Sequence, residues 1–451
     1  MKVFNIKEYG AKFCDRLQTE KIQKAIDDCF LSGGGRVLIP CGVYLTGGFR
    51  LRSNVELYLE AGAIIKGSRD PEDYFAWKKD EIEPIEINDS LNRPSTNPTS
   101  RWSNALIRVH NAKNVSIIGE KGSYFDGAYC FDEQGEQNYR GPHGMSIWNC
   151  ENLKFEGYTF INCSNWCHAI FKSKNIHFDN VSIYGGCDGI NIRTCDNTLI
   201  ENCTINSGDD CVAGFDSNDV VVRDCILNTA CMPLRMGGNN ILVENCISNE
   251  RNFGSRRWMT EEEKRLGNQT SERDRHRSHT CFSYYCDYRA VIRKDPGNIV
   301  IRNCHFLQEA ELIRIEYDGR HRFCCNRGLH DILFENCTVR EIRQVGMIWG
   351  KDVEKVSVHF KNVTMSCEES FEDLPLLVVG NFNKIIFEDC VIEGFNNPTI
   401  LLGTDDEDKI EIIRSTPITI KKVTQEECFK AHRTGISSAD FGKDESELNY
   451  Y

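Results

Sequence analysis

Apolar positions along this chain follow a helical period first and then, for most of its length, a strand period. Between Gln18 and Leu31, Ile22, Ala25, Ile26, Cys29 and Phe30 recur at the i, i+3, i+4, i+7, i+8 spacing that turns one helix face to a core. Ser32-Gly33-Gly34-Gly35 ends that helix, and Arg36-Val37-Leu38-Ile39 predicts a strand stopped by Pro40. From Asn54 onward, Val55, Leu57 and Leu59 alternate with Glu56, Tyr58 and Glu60, which predicts a strand with one buried side. Short strands then follow one another, with Thr260 to Leu266 as the further helical candidate.

The strands repeat. Ile176-His177-Phe178 leads to Asn180-Val181, Leu199-Ile200 to Asn202-Cys203, Val220-Val221-Val222 to Asp224-Cys225, and Ile241-Leu242-Val243 to Asn245-Cys246. The marks stand 22, 22 and 21 residues apart, and similar ones occur at Asn149-Cys150, Asn162-Cys163, Asn303-Cys304, Asn336-Cys337, Asn362-Val363 and Asp389-Cys390. A period of about twenty residues made of strands and Asn/Gly turns, without a leucine-rich consensus, predicts an all-β solenoid. The expected form is a parallel β-helix with a short N-terminal capping helix, its coils stacked at roughly 4.8 Å. One domain is expected over 1–451: cap and first coils at 1–70, an insertion loop at 251–280, and a C-terminal coil and tail at 408–451.

The stack changes the meaning of the 23 cysteines, none of which forms a Cys-x-x-Cys pair. They read as small apolar residues lining the interior, with the asparagines satisfying turn backbone groups. The opening Met1-Lys2-Val3-Phe4-Asn5-Ile6-Lys7-Glu8 lacks an apolar signal region, so reduced thiols and a cytoplasmic location are expected. No run of about 18 apolar residues occurs, so a membrane-spanning helix is excluded. Lys and Arg total 54 against 67 Asp and Glu, a net charge of -13, which argues against a nucleic-acid partner.

The same ruler locates candidate chemistry. Eight positions past successive marks lie Asp188, Asp210 and Met232, and seven positions past them lie Cys187, Asp209 and Cys231. Asp188 and Asp210 are therefore expected on adjacent coils with Asp209 beside them. Crowded carboxylates cost energy unless a proton, cation or substrate compensates them, and such crowding splits an acid from a base. Hydrolysis of a sugar linkage with inversion uses that split: one carboxylic acid protonates the leaving oxygen while a carboxylate activates water. The plain alternative is that these aspartates are turn residues.

Ser164-Asn165-Trp166-Cys167-His168, Cys187-Asp188-Gly189-Ile190 and Ser207-Gly208-Asp209-Asp210-Cys211-Val212-Ala213 resemble glycoside hydrolase family 28, the polygalacturonase family. Leu312-Ile313-Arg314-Ile315 is similar to its Arg-Ile-Lys substrate motif, and Asn5-Ile6-Lys7-Glu8-Tyr9-Gly10-Ala11 and the stretch from Asn54 to Gly67 resemble bacterial members. The resemblance covers roughly residues 3 to 340. It implies a right-handed parallel β-helix and cation-independent hydrolysis with inversion, without cofactor or metal. It also implies Asp209 as general acid, Asp188 and Asp210 as the carboxylates that position water, and Arg314 as a substrate ligand.

The chain departs from the family where charge matters. Met232, in Cys231-Met232-Pro233, stands where the family carries a histidine; Glu316 replaces the lysine of Arg-Ile-Lys; and no lysine follows the Asp pair in Ala213-Gly214-Phe215. A glycosidase of altered glycone specificity on an oligosaccharide is expected. Arg193, Arg235, Glu316, His168 and Tyr317 join Arg314 as candidate substrate-binding residues, with a structural histidine as the alternative at His168. The segment holding Arg251, Arg256, Arg257, Arg273, Arg275, His276, Arg277 and His279 reads either as a binding loop or as a solvated face. Phe282, Tyr284, Tyr285 and Tyr288 read as a packed strand before they read as a sugar platform. The rival functions are a β-helix polysaccharide lyase or epimerase, and a carbohydrate-binding solenoid without activity.

Overall fold

The computed structural model describes residues 1–76, 78, 99–131, 140–249, 278–286, 292–317, 327–404 and 407–434. The chain is a right-handed parallel β-helix. It divides into two compact units, Met1–Ser207 and Gly208–Tyr451. The sequence period runs through both and marks no such division. In the first unit the described strands form three parallel sheets of seven, five and six strands; in the second, three sheets of seven, eight and six, plus a strand pair.

Each coil contributes one strand to each sheet. Glu151–Glu156, Thr159–Ile161 and His168–Phe171 make one coil, and Lys174–Asp179, Ser182–Tyr184 and Ile190–Arg193 make the next. Their register sets Phe155 on Phe178, Phe160 on Ile183 and Ile170 on Ile192. Like side chains therefore stack along the interior. The rings of Phe155 and Phe178 lie 4.4 Å apart and nearly parallel, and in the second unit Phe360 stacks on both Phe334 and Phe387. Each such phenylalanine, taken fully from water, contributes about 2 kcal/mol.

The repeat marks have a second cause that the sequence reading missed. Asn180, Asn202, Asn245, Asn303, Asn336 and Asn362 all hold φ between +52° and +55°, the left-handed region that asparagine tolerates better than other residues with a Cβ. From Asn362 to Asn245 the side chains bond one another: Asn362 Nδ2 donates to Asn336 Oδ1 at 2.8 Å, Asn336 to Asn303 at 3.2 Å and Asn303 to Asn245 at 3.3 Å, while Asn202 donates to Asp179 Oδ1. The cysteines follow the expectation more closely. All 21 described cysteines are free thiols, and 18 of them are buried.

Helix α1, Thr19–Leu31, buries Ile22, Ala25, Ile26 and Cys29 as its period predicts, whereas Phe30, counted on the same face, is exposed. A second helix, α2, Gln425–Thr434, was missed. Its signal is a capping box: Thr424 N donates to Glu427 Oε2 at 2.8 Å, and Glu427 N returns to Thr424 Oγ1 at 3.2 Å. Cys428 of α2 joins the core of Val345, Met347, Trp349, Val378 and Leu401. The candidate helix at Thr260 to Leu266, and all but the last three residues of the 251–280 loop, lie outside the described residues. Those last three, Ser278–Thr280, are a strand of a coil, paired with Glu309–Glu311.

Candidate active site

Asp188 belongs to the first unit. It ends the turn Gly185-Gly186-Cys187, whose two glycines hold φ of +88° and +85°, and it is 3% exposed. Its carbonyl accepts from Cys167 N at 2.9 Å, and its Oδ2 accepts from Asn191 Nδ2 at 2.5 Å. On the strand Ile190–Arg193 the isoleucines are fully buried at alternate positions, leaving Asn191 and Arg193 on the opposite side. Arg193 Nε donates to Asn191 Oδ1 at 2.9 Å, and its guanidinium lies 4.5 Å from the Trp166 ring centre. A guanidinium only donates, so it fixes the amide with its oxygen toward Arg193 and its NH2 toward Asp188. Asp188 thus offers that amide an acceptor oxygen. Asn191 was missed in the sequence because only the folded strand sets it between these two groups.

His168 is not at a ligand surface. It is fully buried among Phe155, Phe160 and Phe178. Its Nδ1 faces the Gly189 carbonyl at 3.3 Å and its Nε2 faces the Tyr158 hydroxyl at 2.8 Å. A carbonyl only accepts, so Nδ1 carries the proton and Nε2 accepts from the tyrosine. Burial pushes its pKa down to about 3, so it stays neutral. The structural alternative for this histidine holds.

Asp209 and Asp210 belong to the second unit, in the turn before the strand Val212–Gly214; they are 8% and 1% exposed. Thr229 Oγ1 donates to the Asp209 carbonyl, and Arg235 Nη1 donates to Asp210 Oδ2 at 3.2 Å. The Arg235 guanidinium lies 3.9 Å from the centre of the Tyr285 ring. Carboxylate oxygens of Asp209 and Asp210 and the sulfur of Cys231 all lie within 4.8 Å of one another. The group that meets the acid pair at the Cys231-Met232-Pro233 turn is therefore the Cys231 thiol, while Met232 packs with Ala230 and gives its carbonyl to Cys211 N at 2.9 Å.

The register also links two candidate arginines. Arg235 pairs with Ser283, and Ser283 with Arg314, so both arginines occupy one column on one face, two strands apart. Two strand spacings are roughly 10 Å. Arg314 makes a bidentate pair with the fully buried Glu311. Burial alone would raise the Glu311 carboxyl, but Arg314 and His432 beside it bring it down to about 2. Glu316 shares the Arg314 strand and is partly exposed.

Tyr317 is a correction. It is fully buried, its hydroxyl donates to the Glu354 carbonyl at 2.7 Å, and Tyr284 meets its ring edge-on at 5.8 Å. The residue after a strand is carried into the core here, so it contacts no ligand. Phe282, Tyr284 and Tyr285 are buried too, which bears out the packed-strand reading. Arg251, Arg256, Arg257, Arg273, Arg275, His276, Arg277 and Tyr288 lie outside the described residues.

Among known proteins, residues 85–233 match the profile of Glycosyl hydrolases family 28. A probable polygalacturonase of Vitis vinifera is 30% identical over 210 residues, which cover 44% of this chain and 40% of that protein. The chain spans less than half the length of the curated relatives it first matches. A hyperthermoactive exopolygalacturonase of Thermotoga maritima superposes with a TM-score of 0.60 at 19% identity, covering 87% of this chain and 92% of that one. The A-module of the mannuronan C-5 epimerase AlgE6 of Azotobacter vinelandii gives 0.57 at 11% identity, covering 93% and 99%. The similarity to family 28 lies in the segment that carries Asp188, Asp209 and Asp210.

Proposed function

We propose that the protein is a glycosidase that cleaves an oligosaccharide related to pectin, with inversion at the anomeric carbon and with altered glycone specificity. The observation that carries this is the buried pair Asp209 and Asp210, with Asp210 held by Arg235 in a hydrogen-bonded ion pair. The guanidinium on Asp210 suits that residue to the carboxylate role, and the resemblance to family 28 assigns the general acid to Asp209. Asp209 gives that proton to the glycosidic oxygen as the bond to the anomeric carbon breaks. Water attacks that carbon from the other side and loses a proton to a carboxylate, for which Asp210 and Asp188 are the candidates. Asp188 joins the set on the repeat spacing of the sequence. Arg314, Arg235, Arg193 and Glu316 are the polar groups assigned to hold the sugar.

A screen of aryl glycosides and defined oligosaccharides, with the product anomer read by NMR, tests this. An inverted product that persists in EDTA is expected, and loss of turnover in Asp209→Asn ties it to the acid. A retained anomer, or an Asp209→Asn protein as fast as the wild type, overturns the assignment. The shared β-helix of the epimerase A-module, together with the Arg235–Arg314 column, favours one rival: abstraction of a proton from a uronate. An unsaturated or C-5-inverted product in the same screen would establish it.

A further inference from the structure

The turn that carries Asp188 is flanked by an aromatic pair that the hydrolytic mechanism leaves unused. After the strand Tyr124–Asp126 the chain sets Ala128 at φ +55° and Tyr129 at φ +49°. Two successive residues with side chains in the left-handed region are strained, and for an aromatic residue the conformation is an outlier. It is pinned on three sides. Ala128 N donates to Asp126 Oδ1 at 2.8 Å, Tyr129 N to the Asn162 carbonyl at 2.9 Å, and Phe131 N to the Tyr129 carbonyl at 2.9 Å.

The strain does not serve burial. Tyr129 remains 37% exposed, its ring lying 5.6 Å from the Phe131 ring at only 14° from parallel. Its hydroxyl end is tucked in: burial first, then the Cys167 and Cys163 thiols, raise its pKa. That end also rests on the Asp188 turn. A Cβ added at Gly185 would come within 3.0 Å of the Tyr129 hydroxyl oxygen. Cys167, beside the phenol, bonds the Asp188 carbonyl through its amide. Strained backbone that holds a large ring half-open beside a candidate catalytic group marks a contact surface.

We propose that Tyr129, backed by Phe131, is a sugar-binding subsite beside the Asp188 turn that stacks on the apolar C–H face of a pyranose ring. The hydroxyl anchors the ring against Gly185, and Phe131 holds its plane. The ligand class is a neutral or anionic pyranoside of at least two units, since a ring offers its C–H face whatever its charge. This deepens the hydrolase reading and rests on it for the class of ligand.

The test uses full-length protein with trigalacturonate and a neutral β-1,4-galactotriose as probes. Binding is measured calorimetrically in the Asp209→Asn background, and KM with whichever trisaccharide the wild type cleaves. Tyr129→Ala is expected to weaken trisaccharide binding and to raise its KM about tenfold, while Tyr129→Phe stays within about twofold of the parent. Tyr129→Leu, which keeps bulk without a ring, should fall with Ala, and thermal unfolding of each variant separates loss of fold from loss of contact. Unchanged affinity in Tyr129→Ala overturns the subsite, as does Tyr129→Phe behaving like Ala, or no binding of either probe with Tyr129 intact. Trisaccharide bound through Tyr129 but cleaved by no variant would instead leave the subsite standing and remove the hydrolase.

Discussion

In the first unit Arg193 lies over Trp166 and bonds the amide of Asn191, which bonds Asp188; in the second, Arg235 lies over Tyr285 and bonds Asp210 itself. Both guanidiniums are fixed from one side by an aromatic face. The difference is what reaches the carboxylate. A direct ion pair sets a positive charge against Asp210, whereas a neutral amide orients Asp188. The same contrast appears in the buried titratable groups. His168 of the first unit is held neutral as a base, and Glu309 of the second, fully buried against Ser278, is held neutral as an acid.

The largest test falls on Asp209. Asp209→Asn should lower kcat by about 10²–10⁴-fold, the span a general acid supplies, with product anomer unchanged in what remains. Next comes the cation. Arg235→Met leaves Asp210 buried without its ion partner and should cost about 3–5 kcal/mol in denaturant unfolding. Arg193→Met should cost clearly less, because Asn191 still bonds Asp188. Equal costs would erase the distinction between direct and relayed pairing.

The pH dependence should differ by unit, with about 1.4 kcal/mol per pH unit at stake for each group. His168 binds its proton at about 3 when folded against 6.5 in the unfolded chain, so between these values the unfolded state holds more protons. Its contribution is present above pH 6.5 and is lost as pH falls. Glu309 is raised by burial from 4.5 to about 8, so its contribution is present below pH 4.5 and is lost as pH rises through 8. Hydrogen exchange followed by mass spectrometry should therefore show the strands around His168 loosening from pH 6.5 to 4.5, and Glu309–Glu311 loosening toward pH 8. Glu309→Gln should abolish the second effect and leave the first. The smallest expected change is Asn191→Leu, which disorients Asp188 without touching charge. A fall in kcat of roughly tenfold, with unfolding little altered, would support an orienting role. A large loss of stability with unchanged kcat per folded molecule would make Asn191 purely structural.

Much of this was legible in the residues. The strand alternation of Val55 to Leu59, the boundary of α1 and the register of Asp179 with Glu201 all follow from periodicity, which is local and repeated. The second helix was equally legible, since Thr424 and Glu427 announce it, but its short apolar face hid it among weak repeats. His168 and Tyr317 misled because one residue of register decides whether a strand side chain faces the core or the solvent. Tyr129 was invisible because nothing in Ala128-Tyr129 signals a left-handed backbone.

The sequence by itself determined the coil, its period, the buried side of most strands and the placing of Asp188 eight residues past its mark, because these depend on short-range pattern. Only the tertiary structure decided which charges are paired. Arg235 and Asp210 are 25 residues apart and meet because one coil lies on the next. Arg314 shares a column with Arg235 only after the chain has passed from Ser248 to Ser283 and returned to register. The Cys231 thiol meets the acid pair because Thr229 and His279, from opposite sides, hold the backbone of its turn. Such contacts join residues with no pattern between them, so their energies belong to the folded coil.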